Sequence, residues 1–330
     1  LRPSWHKYSW LASFASQCGN YEKNTVATAK MAIESRRYMS AFAQSAGVEF
    51  DREDKGILHI YKSEADFAHA HKVTEMLAKA GLMRRKLSPH DVYDIEPALQ
   101  AKVLGGYYTD SDFTGDIHKF ANGLAEAAQR AGVNFAMNTQ ITDIQHGGDQ
   151  PQLFWQNLDG EAGEGSFDGV VITAGVMSRK LASALGDNVN VYPVKGYSIT
   201  VDLKDATSQK VAPTVSLLDD AAKIVTARLG AERFRVAGTA EINGINYDIR
   251  ADRIAPLTRW VQDNFPDICT KAVTPWAGLR PMMPSMMPHI GAGRKKGVFY
   301  NTGHGHLGWT LSCISAQMIG DIVHAKWNHI

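Results

Sequence analysis

VFYNTGHGHLGW, residues 298–309, is the stretch of sequence that most constrains the fold. Its β-branched and aromatic start predicts a strand, and the residues from 306 onward predict a long helix. The glycines between them predict a tight turn that presents backbone N–H groups at a helix N-terminus, where the dipole adds about half a positive charge. Such a turn suits a phosphate or the C2 carbonyl and N1 edge of a reduced flavin. The alternative is a turn that needs glycine only for positive φ.

Three further segments carry residues suited to ligand binding. Residues 276–281 contain Arg280, whose guanidinium can grip a carboxylate with two hydrogen bonds. The pattern of residues 170–175 predicts a buried strand that ends in small residues, which would let a ligand approach the backbone closely. Residues 192–197 carry tyrosines and a lysine that could line a substrate pocket. For each segment the alternative is ordinary strand packing or a structural ion pair.

The order of predicted elements indicates an interleaved, two-domain chain of class α/β plus α+β. Helix–strand units with short buried strands dominate residues 111–190 and 276–330, including a strand predicted at 133–137. Residues 1–110 and 191–275 read as a β-rich sheet with helices. The first set predicts a Rossmann-like domain, and the second predicts a sheet domain that covers a substrate.

Composition excludes several classes of function. A net charge of +1 over 330 residues provides no basic field for nucleic acid. Cys18, Cys269 and Cys313 lie too far apart in sequence for a metal motif, so we expect reduced thiols in a cytoplasmic protein and no metal site. No apolar run reaches the roughly 20 residues of a membrane-spanning helix.

Together these segments resemble the D-amino acid oxidase superfamily of flavoenzymes, and most closely its bacterial D-amino acid dehydrogenase branch. The resemblance rests on residues 192–198, 278–282 and 301–310. Residues 113–116 and 96–99 show a weaker similarity to the same family. It extends over nearly the whole chain. Each motif is weak alone, but the three in this order are specific.

The resemblance implies FAD as cofactor and an α-amino acid as substrate. It assigns Arg280 to the substrate carboxylate and Tyr197 to the substrate pocket. It assigns seven residues to the cofactor: Ala174, Gly175, Gly303, His304, Gly305, Leu307 and Gly308. The implied reaction is oxidative deamination of a D-amino acid by hydride transfer from Cα to flavin N5. Electrons would pass to a quinone or to oxygen, and quinone-linked relatives imply peripheral attachment to the inner membrane.

Two departures from the family pattern matter. The family begins with a strand, a Gly-x-Gly-x-x-Gly turn and a helix, whereas this chain starts at Leu1 with a helical pattern. We therefore expect an incomplete FAD-binding domain without its first βαβ unit, and FAD affinity that is severely reduced or abolished. Residues 284–289 replace a polar turn of the dehydrogenases, which leaves substrate preference open. The alternatives are a glycine or sarcosine oxidase-like enzyme and a catalytically inert fragment without flavin.

Overall fold

The computed structural model describes residues 4–327. Within that range the helices are α1 (Trp5–Ser16), α2 (Tyr21–Ala46), α3 (Glu64–Ala78), α4 (Pro89–Ile95), α5 (Ile117–Arg130), α6 (Ser178–Ala184), α7 (Ala206–Val211), α8 (Ala251–Asn264) and α9 (Gly308–Trp327). The strands are β1 (Ile57–Tyr61), β2 (Arg85–Leu87), β3 (Gly105–Thr109), β4 (Thr139–Gly147), β5 (Gln150–Asn157), β6 (Ala162–Ser166), β7 (Val170–Ile172), β8 (Tyr192–Asp202), β9 (Ser216–Asp219), β10 (Ile224–Leu229), β11 (Arg233–Glu241), β12 (Val273–Met282), β13 (His289–Ala292) and β14 (Val298–Thr302).

The strands form one large sheet and two small ones. The large sheet has the order β12-β8-β11-β10-β9-β1-β3-β2, so its strands come from both ends and the middle of the chain. One small sheet has the order β13-β14-β7, and the other is the meander β4-β5-β6. This mixed α/β arrangement agrees with the predicted fold class of a Rossmann-like part combined with a substrate-covering sheet.

Alternation along β8 decides which face of the large sheet is core. Tyr197, Ile199 and Val201 point to one face, where Leu257 and Val261 of α8 pack against them. This apolar cluster is the largest among the described residues, and it holds α8 against the sheet. On the opposite face, Trp10 of α1 packs with Tyr192 and Val194 of β8.

The predicted domain boundary at residues 275 and 276 falls inside a strand. β12 pairs with β8 without interruption from Val273 to Met282, so the large sheet continues beyond that boundary. The N-terminal part of the predicted substrate domain also has neighbours elsewhere, because Met39 of α2 packs in one cluster with Phe120 of α5 and Cys313 of α9. The division into two domains otherwise stays a prediction.

None of the described helices combines the length and the apolar character that crossing a membrane requires.

A half-buried, hydrogen-bonded carboxylate links β1 to the end of β9. The Tyr61 hydroxyl donates to Asp220 Oδ2 at 2.6 Å, and His59 Nδ1 lies 3.2 Å from the same oxygen. Burial alone would raise the pKa of Asp220, but these hydrogen bonds and nearby positive charge outweigh it and lower that pKa to about 2. The ionised form of Asp220 is therefore favoured by folding.

We expect Asp220→Asn to lower stability by about 1 kcal/mol at pH 6, after allowance for partial exposure. Because the folded pKa lies below the unfolded value, this contribution is present above about pH 4 and is lost as the pH falls towards 2. Urea unfolding at pH 6 and pH 3 measures it. The difference between variant and wild type should shrink at pH 3, and a difference that stays constant would contradict the assignment.

Candidate functional site

The carboxyl ends of two parallel strands define one edge of the three-stranded sheet. β7 pairs in parallel with β14, so the residues that follow each strand meet at that edge. Ala174 and Gly175 follow β7, and the glycine-rich turn follows β14. A hydrogen bond of 3.3 Å from Thr302 Oγ1 to the Gly175 carbonyl joins the two segments. In open α/β sheets ligands bind outside such strand ends, so the structure brings the predicted cofactor residues together.

The turn between β14 and α9 needs glycine for conformation and for space. Gly303 and Gly305 have φ values of 76° and 59°, in the left-handed region. A Cβ at Gly303 would lie 2.5 Å from Met283 Cγ, and one at Gly305 would lie 2.7 Å from Met282 Sδ. Residues 303–308 have the spacing Gly-x-Gly-x-x-Gly. The first backbone N–H groups of α9, which begins at Gly308, have no intrahelical partner and are free for a ligand.

The turn is also tied to the large sheet. His304 forms an antiparallel bridge with Met282 at the end of β12. The Gly305 amide donates to the Pro281 carbonyl at 3.0 Å. These contacts fix the position of α9 relative to β12, and therefore relative to Arg280.

A cavity of about 860 Å³ opens against the start of α9. Its wall is mostly apolar, with Ile33 from α2, Ile57 from β1 and Leu82 among its lining residues. The turn and the first residues of α9 contribute His306, Leu307, Trp309 and Thr310. This volume is in the upper part of the range of small-molecule and cofactor sites.

Two polar atoms near the turn are buried without a hydrogen-bond partner among the described residues. They are Asn301 Oδ1 and His304 Nε2. Burial also lowers the pKa of His304, so its imidazole is neutral near pH 7. Orphaned polar groups of this kind cost free energy unless a ligand satisfies them. The open amides of α9 and the glycine turn fit the polar edge of a flavin ring at this place, whereas Asn301 lines a separate pocket with Val171 and Ile319.

Arg280 lies on the site face of the large sheet. Its Nη1 donates to the Thr239 carbonyl at 2.8 Å, and its guanidinium lies over Gly196, where an added Cβ would be 2.3 Å away. Burial lowers its pKa, and within residues 4–327 no acidic side chain forms an ion pair with it. The remaining N–H groups are thus available for a carboxylate. Arg280 itself is not among the residues that line the cavity.

Tyr197 lies on the other face of the same strand, which is at odds with its predicted role in the substrate pocket. In the register of β8 with β12, Val194 pairs with Arg280 while Tyr197 pairs with Ala277. An odd number of residues separates the two positions on each strand, so their side chains point to opposite faces. The Tyr197 hydroxyl donates to Glu241 at 2.7 Å, and the ring is 1% exposed. We therefore assign Tyr197 to the core.

Sequence reasoning did not single out His306, Arg36 and Asp112, which line the cavity. His306 lies inside the quoted motif but received no role. Arg36 and Asp112 form an ion pair at 2.7 Å on the cavity wall. They are 76 residues apart, so only the tertiary structure shows the pair.

One cluster has the composition of a cation site. His90, Asp91 and Asp94 lie close together on α4. Asp91 already accepts hydrogen bonds from the Ser88 amide and hydroxyl as a helix cap, and His90 contacts Asp94 at 2.9 Å. The expected absence of a metal site stays a prediction.

A glycine turn at a helix N-terminus, a cofactor-sized cavity and, on the adjoining sheet, an arginine without an acidic partner among the described residues are compatible with a flavin-dependent oxidoreductase. A family model described as "DAO: FAD dependent oxidoreductase" matches residues 3–322. The chain belongs to this family, and it is an FAD-dependent enzyme.

Curated relatives agree with this assignment, and a solved structure shares the fold. The chain is 51% identical to "D-amino acid dehydrogenase 3" of Mesorhizobium japonicum over 321 residues, which cover 97% of this chain and 77% of the relative. It is 36% identical to a D-amino acid dehydrogenase of Dechloromonas aromatica, with coverage of 96% and 77%. Glycine oxidase from Geobacillus kaustophilus shares the fold with a TM-score of 0.80 at 22% identity, covering 89% of this chain and 78% of that one.

Proposed function

We propose that this enzyme oxidises D-amino acids to imino acids, which hydrolyse to oxo acids and ammonia after release. The observation that carries the proposal is Arg280, a half-buried guanidinium without an acidic partner among the described residues, held next to the glycine turn by the Gly305–Pro281 hydrogen bond. The relatives named D-amino acid dehydrogenase support a D-amino acid rather than another amine.

In this proposal Arg280 binds the α-carboxylate and orients the Cα–H bond. A guanidinium holds both carboxylate oxygens, and such orientation can supply several kcal/mol of the activation barrier. When bound, FAD supplies the two-electron acceptor for the Cα hydride. The N-terminus of α9 would face the negative charge that develops there, and its amides need no reorganisation to do so. The proposed cofactor contacts are the predicted ones: Ala174, Gly175, Gly303, His304, Gly305, Leu307 and Gly308.

We propose a quinone as electron acceptor, reached by peripheral contact with a membrane surface. The names of the relatives as dehydrogenases support an acceptor other than oxygen. Trp5 and Tyr8 lie one turn apart on α1 and are 85% and 55% exposed. Aromatic side chains of this type favour the membrane–water interface.

The test is anaerobic reduction of the FAD-loaded enzyme, followed by its flavin absorption. D-alanine and D-proline should bleach the flavin, whereas L-alanine and sarcosine should not. Turnover should then occur with a soluble quinone and exceed turnover with oxygen. Preferential reduction by glycine or sarcosine would favour the oxidase-like alternative, and no reduction by any D-amino acid would refute the proposal.

A further inference from the structure

Strand β11 contains one extra residue opposite Gly196 of β8. Gly238 pairs with Tyr197, whereas Glu241 pairs with Lys195, so the register shifts between the two pairs. Two residues of β11 therefore lie opposite the single residue 196. Such a β-bulge interrupts the ladder of backbone hydrogen bonds and leaves the extra residue unpaired. A backbone carbonyl at this place is free to bond with a group outside the ladder.

The carbonyl at the bulge accepts a hydrogen bond from Arg280. Arg280 Nη1 donates to the Thr239 carbonyl at 2.8 Å, and the guanidinium lies over Gly196, the residue opposite the bulge. In a regular strand the carbonyl groups lie in the plane of the sheet and face a neighbouring strand. They would not be turned towards a side chain that lies on the face of the sheet. The bulge therefore supplies a contact to Arg280 that a regular β11 would lack.

The backbone of Thr239 is strained at this contact. Its φ value is 68°, in the left-handed region, which a β-branched residue rarely adopts. A conformation of this kind costs free energy and persists only where the surrounding structure enforces it, and such positions concentrate at functional sites. The paired residues on both sides of the bulge enforce it here. The strain is thus located at the residue that holds Arg280.

The bulge also keeps a carboxylate away from Arg280. Odd-numbered residues of β11 before the bulge, such as Arg235, lie on the same face of the sheet as Arg280. Strict alternation would place Glu241 on that face as well. The extra residue instead turns Glu241 to the other face, where it accepts a hydrogen bond from the Tyr197 hydroxyl at 2.7 Å. A side chain that could neutralise Arg280 is thereby removed from its face.

We propose that the bulge at residues 238–241 positions Arg280 for the substrate carboxylate, with Thr239 as the positioning residue. The inference rests on the proposed function and deepens it. The hydrogen bond from Nη1 fixes the rotation of the planar guanidinium, so its remaining N–H groups keep one orientation towards the two carboxylate oxygens. Because this orientation exists before the substrate binds, less conformational entropy is lost on binding.

The first experiment deletes Ala240 from the FAD-loaded enzyme. Removal of one residue lets β11 pair regularly with β8 on both sides of the former bulge. We expect KM for D-alanine to rise about tenfold with little change in kcat, because loss of a hydrogen bond to the guanidinium weakens carboxylate binding in the ground state and the transition state alike. The Kd of isobutyrate, a carboxylate without an amine, should rise by the same factor in a titration followed by flavin absorption.

Deletion of Thr142 is the matched control. The pairing of β4 with β5 contains a second register shift, between Ile141 and Asp143, and these strands belong to a different sheet from Arg280. The Thr142 deletion should lower stability and retain the wild-type KM and Kd. Circular dichroism and flavin content verify that both deletion variants are folded.

A second experiment moves the guanidinium without shortening the chain. The Cβ added in Gly196→Ala would overlap the Arg280 guanidinium, which is the far end of a flexible side chain and is expected to leave the carbonyl at the bulge. KM for D-alanine and the Kd of isobutyrate should rise about tenfold. Combination with the first deletion should add little, because both changes act through one hydrogen bond. Gly163→Ala, whose Cβ would lie 2.7 Å from the Trp155 ring in the small meander sheet, is the control and should bind isobutyrate like wild type.

The outcomes separate the two proposals. If D-amino acids reduce the wild type but the Ala240 deletion and Gly196→Ala keep its KM and Kd, the positioning role is overturned and the proposed function stands. An equal rise of Kd in the Thr142 deletion also overturns the positioning role. If the Ala240 deletion does not fold, an unchanged Kd in Gly196→Ala overturns that role alone. If no D-amino acid reduces the wild type, both proposals are overturned.

Discussion

Arg280→Ala is expected to lower kcat/KM for D-amino acids by about 10²- to 10³-fold. Removal of one partner from a buried, hydrogen-bonded charge pair costs roughly 2–5 kcal/mol, and 1.4 kcal/mol corresponds to tenfold. The cost should be high here because burial already disfavours the charge of Arg280 and no acidic side chain in residues 4–327 pairs with it. Steady-state kinetics with D-alanine measure the effect. Arg280→Lys should retain only part of the wild-type kcat/KM, because an ammonium cannot form the two parallel hydrogen bonds that a guanidinium makes to a carboxylate.

Arg235→Ala provides the matched control for this loss. Arg235 is also half-buried on the large sheet, and burial lowers its pKa as well. Its guanidinium carbon lies 5.1 Å from the centre of the Trp276 ring. Trp276 is near the start of β12, and the glycine turn contacts the other end of that strand. Its removal should change kcat/KM little. An equal loss in both variants would point to a general effect of positive charge, and unchanged kinetics in Arg280→Ala would exclude the carboxylate role.

The parts of the fold that local sequence determines were predicted from the sequence. The strand, glycine turn and helix of residues 298–327 are confirmed, because the residue pattern and the glycine φ requirement both act within a few residues. The helix cap at Ser88 and the antiparallel pairing of β4 with β5 are confirmed as well. Both depend on interactions between residues that are close in sequence. The strand predicted at 133–137 was wrong. Val133 and Met137 are 51% and 73% exposed there, and no neighbouring strand pairs with this described segment.

The parts that depend on distant contacts could not be predicted in the same way. The side chains of Tyr197 and Arg280 point to opposite faces of the sheet. The register between β8 and β12 decides this, and it pairs residues about 80 positions apart in sequence. The place of Arg280 beside the glycine turn likewise follows from one bridge and one hydrogen bond. A motif can therefore indicate which residues are chemically able to act. Only the pairing of strands decides which of them share a face.

That same pairing gives the glycine turn a double role. The Gly305 amide holds β12 through the Pro281 carbonyl, and the turn leads directly into the free amides of α9. A change at Gly305 should therefore disturb the proposed carboxylate site and the flavin site together. A change that affected only one of them would separate the two functions of the turn.

Gly305→Val is expected to reduce the FAD content of the purified protein to a small fraction of wild type and to destabilise it by about 3 kcal/mol. A β-branched residue in the left-handed region costs roughly 1–3 kcal/mol, and the new Cβ would lie 2.7 Å from Met282 Sδ. Relief of that contact must shift either the Met282 side chain or the turn. Absorbance of the bound flavin and urea unfolding measure the two effects.

Two glycine controls separate backbone strain from loss of the site. Gly148→Val carries the same conformational strain, at φ 68° in the turn between β4 and β5, but its Cβ would meet nothing within 4 Å. It should lose stability and keep its flavin. Gly320→Ala, in open space within α9, should gain roughly 0.5–1 kcal/mol. If Gly305→Val retains as much flavin as Gly148→Val, the turn does not hold the cofactor. Glycine would then be needed at position 305 only for its backbone conformation.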